Sequence, residues 1–207
     1  MREATYLPLA LVLGGIGVLV LSYRRKGMRS SYPPLPPYTQ NRVKVGDYGR
    51  LPYDSPLLVQ VPGTKEVFLH KLAADRFMAL REAAAQAGFP DVLLASAWRP
   101  HNWRSFEDYE RQMISRYGSL SAGRRWVAYN SPHETGLAMD FGNHGLSPTS
   151  ATNRQQMQTP FYHWLVDNAH RFGLTPYKNE AWHWEAKIPR EAWVSGQEFT
   201  DDYGVYV

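Results

Sequence analysis

Ser131-Pro132-His133-Glu134-Thr135-Gly136-Leu137-Ala138-Met139-Asp140 is followed, about forty residues on, by Glu180-Ala181-Trp182-His183. The first stretch reads as a loop leading into an apolar strand, with Gly136 and Ala138 letting the backbone pass close to a site. The second is aromatic-rich and reads as a strand or strand end. Together they supply two imidazoles, a carboxylate that can complete a metal site, and a spare carboxylate three residues before the second imidazole. Three N/O ligands leave the fourth tetrahedral position of a zinc ion for water, and a nearby carboxylate can take that water's proton.

Outward from these motifs the chain mixes helices and strands. Leu69, Ala73, Phe77, Leu80, Ala84 and Ala87 recur at three- and four-residue steps, which predicts one buried helical face ended by Gly88 and Pro90. Val92 to Ala97 reads as a short buried strand. Ser105 with Asp108 predicts a capped helix running to about Tyr117, with Gly118 behind it. Thr159 and Pro160 begin another helix, whose Phe161, Trp164, Leu165, Ala169 and Phe172 face the core before Gly173. No regular βαβ rhythm appears, so the expected class is α+β rather than a doubly wound sheet.

The 207 residues suit one domain with a sizeable core plus extra segments. A content of 43% hydrophobic and 14% aromatic residues, with seven tryptophans, excludes a disordered tail. The net charge of +4 is spread along the chain apart from Arg24, Arg25, Lys26 and Arg29, which argues against a nucleic-acid partner. There is no cysteine, so disulfides and a lipoprotein anchor are excluded and any metal site must use His and carboxylate.

Tyr6 to Tyr23 forms an uncharged, mostly apolar run with Arg24, Arg25 and Lys26 behind it. At about 1.5 Å rise per residue it is just long enough to cross a bilayer as a helix. No clear small-residue cleavage site follows, which favours an uncleaved single-pass anchor over a signal peptide. The basic cluster after the run conflicts with an extracytoplasmic domain under the positive-inside rule. The Pro-rich stretch around Tyr32-Pro33-Pro34-Leu35-Pro36-Pro37-Tyr38 reads as a semi-rigid spacer. The expected organisation is therefore an anchor over 1–26, a linker over 27–58 and a catalytic domain over 59–207.

A lone histidine is usually structural, so His70, His101, His144, His163 and His170 are weak ligand candidates. His163 and His170 are the best rival pair, seven residues apart in one expected helix. His133 and Asp140 stand out because Asp140 sits in an apolar stretch, where a carboxylate is costly unless paired or metal-bound. One difficulty remains for Glu180 and His183. Residues three apart in an extended strand point to opposite sides, so both reach one site only if the backbone bends there.

The SxHxxGxAxD pattern followed by ExWH resembles the zinc D-alanyl-D-alanine peptidases of bacterial cell walls, the VanY-type carboxypeptidases and VanX-type dipeptidases. The resemblance covers about Phe77 to Glu185. It implies that His133, Asp140 and His183 bind Zn2+ and that Glu180 is the general base. Ser96-Ala97-Trp98-Arg99 looks like the family's SGYR segment, with Ala97 and Trp98 in place of Gly and Tyr. By that likeness Arg99 stabilises the oxyanion or grips the scissile carbonyl. Ser131 would bond substrate or orient His133, while Trp98 and Trp182 would shape the substrate pocket. The implied fold is a small central antiparallel sheet with flanking helices and a zinc cleft on the sheet, as in the hedgehog and D,D-peptidase group.

The expected activity is a membrane-tethered D,D-carboxypeptidase of the bacterial cytoplasmic membrane that removes the terminal D-Ala of peptidoglycan stem peptides. Glu185 is also reminiscent of L-alanyl-D-glutamate endopeptidases, which makes that cleavage the alternative. A non-catalytic wall-binding module is a third reading, opposed by the presence of every expected catalytic residue. A serine-type peptidase is excluded because no serine has a lysine three positions later. The segment after Lys187 is expected either to close over the site or to pack against the back of the domain.

Overall fold

A computed structural model describes residues 42–142 and 146–198. The expected anchor and the first part of the expected linker, 27–41, lie outside the described residues. Among the described residues, no helix is long and apolar enough to cross a membrane.

After a one-turn helix α1 (Val45–Tyr48), strands β1 (Leu58–Gln60) and β2 (Phe68–His70) form a two-stranded antiparallel ribbon. The chain passes directly from β2 into helix α2 (Lys71–Gln86) because His70 caps it, its Nδ1 accepting from the Leu72 N–H at 3.2 Å. Of the expected apolar face, Ala73, Phe77, Leu80 and Ala84 are buried in the helix, joined by Leu72. The helix is shorter than the periodicity suggests. Leu69 belongs to β2, and Ala87 is an exposed C-cap ahead of Gly88.

Strands β3 (Leu93–Ser96), β4 (Ala138–Gly142), β5 (Leu174–Tyr177) and β6 (Glu180–Ala186) build a four-stranded antiparallel sheet in the order β3-β4-β6-β5. This is the expected α+β arrangement. β3 differs from its reading as a buried strand, because it lies at the sheet edge and alternates. Leu94 is buried, whereas Leu93 is 57% exposed. The core covers only one face of the sheet at β3, as is common in antiparallel sheets.

In the central strands alternation separates two faces. Met139, Phe141 and Trp184 join Phe77 and Leu80 of α2 in the core, with Phe141 ring centroids 6.0 Å from Phe77 and 6.4 Å from Trp184. Burying each of these large side chains contributes about 1.5–3 kcal/mol. Asp140, His183 and Glu185 occupy the other phase and are buried as well.

Helices α3 (Phe106–Tyr117) and α4 (Leu120–Gly123) lie between β3 and β4. The Ser105 hydroxyl accepts from the Asp108 N–H at 3.2 Å, and Gly118 ends α3 at φ 80°, as expected from the sequence. Between β4 and β5 run α5 (Asn153–Gln156), α6 (Pro160–Asn168) and a 3-10 turn, Ala169–Phe172. Thr159 caps α6 through the Tyr162 N–H. The last described helix, α7 (Arg190–Ser195), packs on the domain rather than over a cleft. The Trp193 indole donates to the Thr135 carbonyl at 2.9 Å, and the Trp193 carbonyl is bonded by His70 Nε2 at 2.9 Å.

The packed domain reaches back into the stretch read as linker. Val43 and Leu51 are buried in the core, Leu51 N donates to the Glu134 carbonyl, and the Leu51 carbonyl accepts from the Trp98 indole. These isolated apolar residues carry no period, so composition alone made the segment resemble the prolines before it.

Candidate metal centre

Three elements deliver three side chains to one point. His133 rides on a 3-10 turn, Pro132–Thr135, which Ser131 caps reciprocally with Glu134 and which Gly136 ends in the left-handed region at φ 72°. Asp140 lies on β4 directly opposite His183 on β6. His133 Nε2 is 3.2 Å from His183 Nδ1 and 3.3 Å from Asp140 Oδ1, which is itself 3.1 Å from His183 Nδ1. Ligand atoms about 2.0–2.1 Å from a tetrahedral ion stand roughly 3.3 Å apart, so this near-equilateral triangle fits one face of such a site.

The second contacts of both imidazoles agree with that use. His133 Nδ1 lies 2.6 Å from the Ala97 carbonyl, which only a protonated Nδ1 can satisfy, so Nε2 offers its lone pair to the centre. His183 Nε2 lies 3.0 Å from Glu185 Oε1, leaving Nδ1 for the centre. Glu185 is itself fixed, with Oε2 accepting from the Val43 N–H and Oε1 lying 3.4 Å from Arg42 Nε. A free ligand cluster of this kind would set two lone pairs against each other. A divalent cation or a proton resolves that conflict.

Without metal, protons are shared accordingly. Burial opposes a charge on His183, but its bonds to Asp140 and Glu185 prevail and hold the imidazole up to about 9. His133 is pushed down, burial outweighing Asp140. Burial alone would raise Asp140, yet the two imidazoles hold it well below the usual carboxylate range.

Glu180 reaches the same centre. Its Oε2 lies 4.0 Å from His183 Nδ1, and burial raises its carboxyl above the ordinary value, with Asp140 adding to the rise. The apparent conflict in spacing is removed by an irregularity in β6. Pro176 pairs with Trp184 but the next residue, Tyr177, pairs with Glu180, so three residues of β6 are accommodated as a bulge. Trp184 Nε1 donates to the Ala181 carbonyl across that bend at 3.2 Å.

The neighbouring Glu134 has a different part. Its buried carboxylate accepts from Arg50 Nε at 2.6 Å and the Ser131 N–H at 2.9 Å, with His101 Nδ1 at 3.2 Å. It braces the His133 turn. Ser131 Oγ accepts from the His133 N–H at 3.4 Å, and the residue also lines the cavity above the centre.

A cavity opens over His133, His183 and Glu180, with Arg99 and Ser131 in its wall. The half-exposed Arg99 guanidinium stands 3.9 Å from Asp140 Oδ2. Trp98 and Trp182 are not in the wall. Trp98 packs on the core beside Tyr53, and Trp182 is buried. The Trp98 indole is turned to the Leu51 carbonyl, to which it donates at 3.1 Å. His163 is on α6 and His170 on the following 3-10 turn, and neither joins the cluster.

Sequence reasoning missed the bond of Glu185 to His183, and it missed Arg42, Tyr177 and the wall from Arg124 to Ala128. The signal for Glu185 was available, since i and i+2 in a strand share a face with His183. Arg42 lies 3.9 Å over the Tyr177 ring and gave no local pattern.

A buried two-histidine, one-carboxylate face with an adjacent spare carboxylate under a cavity defines a hydrolytic metal centre of the peptidase class. The chain belongs to the VanY D-alanyl-D-alanine carboxypeptidase family, whose sequence model matches residues 66–193. It is thus a cell-wall peptidase by family. Among solved structures, the LdcB LD-carboxypeptidase is similar at 24% identity over 72% of this chain and 78% of that one, with a TM-score of 0.48. A Zn(II) complex of a mutant D,D-pentapeptidase VanY from a VanB-type resistance cassette gives 22% identity, 72% and 90% coverage and 0.46. DacB from Streptococcus pneumoniae D39 gives 24%, 67% and 78%, and 0.37. Among curated proteins no significant sequence match is found.

Proposed function

We propose that the chain is a zinc-dependent D,D-carboxypeptidase that removes the terminal D-Ala from peptidoglycan stem peptides, with His133, Asp140 and His183 as ligands. The observation that carries this reading is the triangle of ligand atoms with Glu180 Oε2 4.0 Å from one corner. A zinc ion held there would acidify a water molecule and polarise the scissile carbonyl. Glu180 acts as general base: its burial favours proton uptake, and it takes the water's proton and returns it to the leaving amine. Arg99 is placed in the cavity wall to steady negative charge on the carbonyl oxygen. Ser131 and Glu134 hold the turn that aims His133, and Glu185 fixes the ring of His183.

In this proposal the apolar run Tyr6 to Tyr23 tethers the domain on the outer side of the bacterial cytoplasmic membrane, where stem peptides lie. The support is the run's length and lack of charge. A reporter enzyme that works only outside the cytoplasm, fused to the C-terminus, checks this orientation and would be inactive if the domain faced inward.

The activity is tested with the full chain reconstituted with zinc and a muramyl pentapeptide, using mass spectrometry of the products. Loss of one D-Ala is expected. New termini between L-Ala and D-Glu would instead identify an endopeptidase, and an intact peptide with zinc bound would remove the enzymatic reading.

A further inference from the structure

The cavity carries more positive charge than one terminal carboxylate needs. Four arginines line it: Arg42, Arg99, Arg124 and Arg125. Two of them face carboxylates of the metal centre, Arg42 at Glu185 and Arg99 at Asp140. Of the acids in the wall, Glu134 is consumed by Arg50 and His101, and Glu180 lies at the metal centre. Arg124 and Arg125 make no ion pair among the described residues, and both line the cavity.

These two arginines stand on a built platform. Gly123 at the end of α4 packs so closely on α3 that a Cβ there would meet the Met113 side chain at 2.7 Å. The chain then winds on through bonds from Arg124 N to the Leu120 carbonyl, Arg125 N to the Ala122 carbonyl and Trp126 N to the Gly123 carbonyl. The Arg124 guanidinium lies 5.4 Å over the Phe106 ring, and the Tyr109 hydroxyl ties the following Val127 carbonyl at 2.6 Å. A pair of exposed arginines without acidic partners among the described residues, carried on this turn beside the metal centre, suits a planar anion, which guanidinium binds bidentately.

Building on the peptidase reading above, we propose that Arg124 and Arg125 form a specificity site for a second carboxylate, so that the preferred substrate is an acidic peptide with a free side-chain or branch carboxylate besides its C-terminal one. Arg99 and the metal centre take the terminal residue. The α4 turn takes the other acid and rejects its amide, which offers an N–H to a guanidinium that has only donors.

The test compares two peptides ending in D-Ala-D-Ala and differing only in whether an internal γ-linked glutamate carries a free carboxylate or a carboxamide. Binding is measured calorimetrically to the zinc-loaded full chain bearing Glu180→Gln, and turnover is measured on the native chain. The carboxylate peptide should bind about tenfold more tightly, a preference that weakens at high salt and disappears in Arg124→Gln/Arg125→Gln, while affinity for the amide peptide stays unchanged. Equal binding of the two peptides by the native wall, or an equal loss for both in the double variant, would overturn the proposal. Failure to cleave either peptide, with the binding preference intact, would instead count against the D,D-carboxypeptidase activity alone.

Discussion

Glu180 Oε2 stands 4.0 Å from His183 Nδ1 although the two residues are three apart on the same strand. In a regular strand they would face opposite sides of the sheet. The bulge between the Trp184 and Glu180 pairings brings both to the cleft, so an irregularity in β6 gathers the proposed base and a proposed ligand from one tetrapeptide.

Replacing Glu180 by Gln keeps the shape of the bulge and removes the proton acceptor. The rate should fall by about 10²- to 10⁴-fold with metal stoichiometry unchanged. Single-turnover kinetics and metal analysis on the same preparation check this, and a variant that turned over at the native rate would displace Glu180 as the base.

Glu185 should matter to metal affinity. Its carboxylate receives His183 Nε2 at 3.0 Å and the Val43 N–H, so Glu185→Gln loosens the tautomer and orientation of a ligand ring. Zinc affinity, measured by competition with a chromogenic chelator, should drop by about 10- to 100-fold. Arg42→Ala should have a smaller effect, because its contact is 3.4 Å and the side chain is 35% exposed.

The parts of the fold that were legible in the sequence are those with a period or a cap. The α2 face repeats at helical spacing, Ser105 and Thr159 announce their helices, and the Leu137 to Phe141 run marks β4. The His133, Asp140 and His183 set follows from residue types and from the family likeness. The bulge was hidden because it depends on how β6 pairs with Pro176 and Tyr177 on β5, a long-range choice of register. The Arg124 to Ala128 wall was hidden because α4 is a single turn with no apolar period. Val43 and Leu51 were hidden because each is a lone apolar residue whose partners lie far along the chain.

Gly136 couples the His133 turn to the start of α2. At φ 72° an L side chain is strained, and a Cβ there would meet the His70 backbone N at 2.8 Å and Leu51 Cδ1 at 3.2 Å. Gly136→Ala should therefore destabilise the fold by about 2–4 kcal/mol in denaturant unfolding. Gly88→Ala is the control, since its φ is 95° but nothing lies within 4 Å of the added Cβ. It should lose only about 1 kcal/mol from the backbone strain. Equal losses at the two positions would mean that the close packing on His70 carries no weight.

His70 predicts how stability responds to acid. Burial lowers its imidazole to about 4, against a bond to the Trp193 carbonyl that favours the proton. As N-cap it must keep Nδ1 unprotonated to accept from the Leu72 N–H, so charging it removes the cap. The unfolded chain takes up this proton near pH 6.5 and the folded chain only near pH 4. Between those values the unfolded state binds more protons, so stability falls as pH falls. Above that window the group is neutral in both states, and below it is charged in both, so its pH dependence vanishes at either end. The total loss is on the order of 3 kcal/mol. Acid also releases metal from His133 and His183, so the measurement is the difference between native and His70→Asn unfolding free energies, taken in chelator from pH 7 to pH 4. Asn can cap the helix without titrating, and the difference curve should slope through that window. A flat difference would show that His70 is already charged in the folded domain.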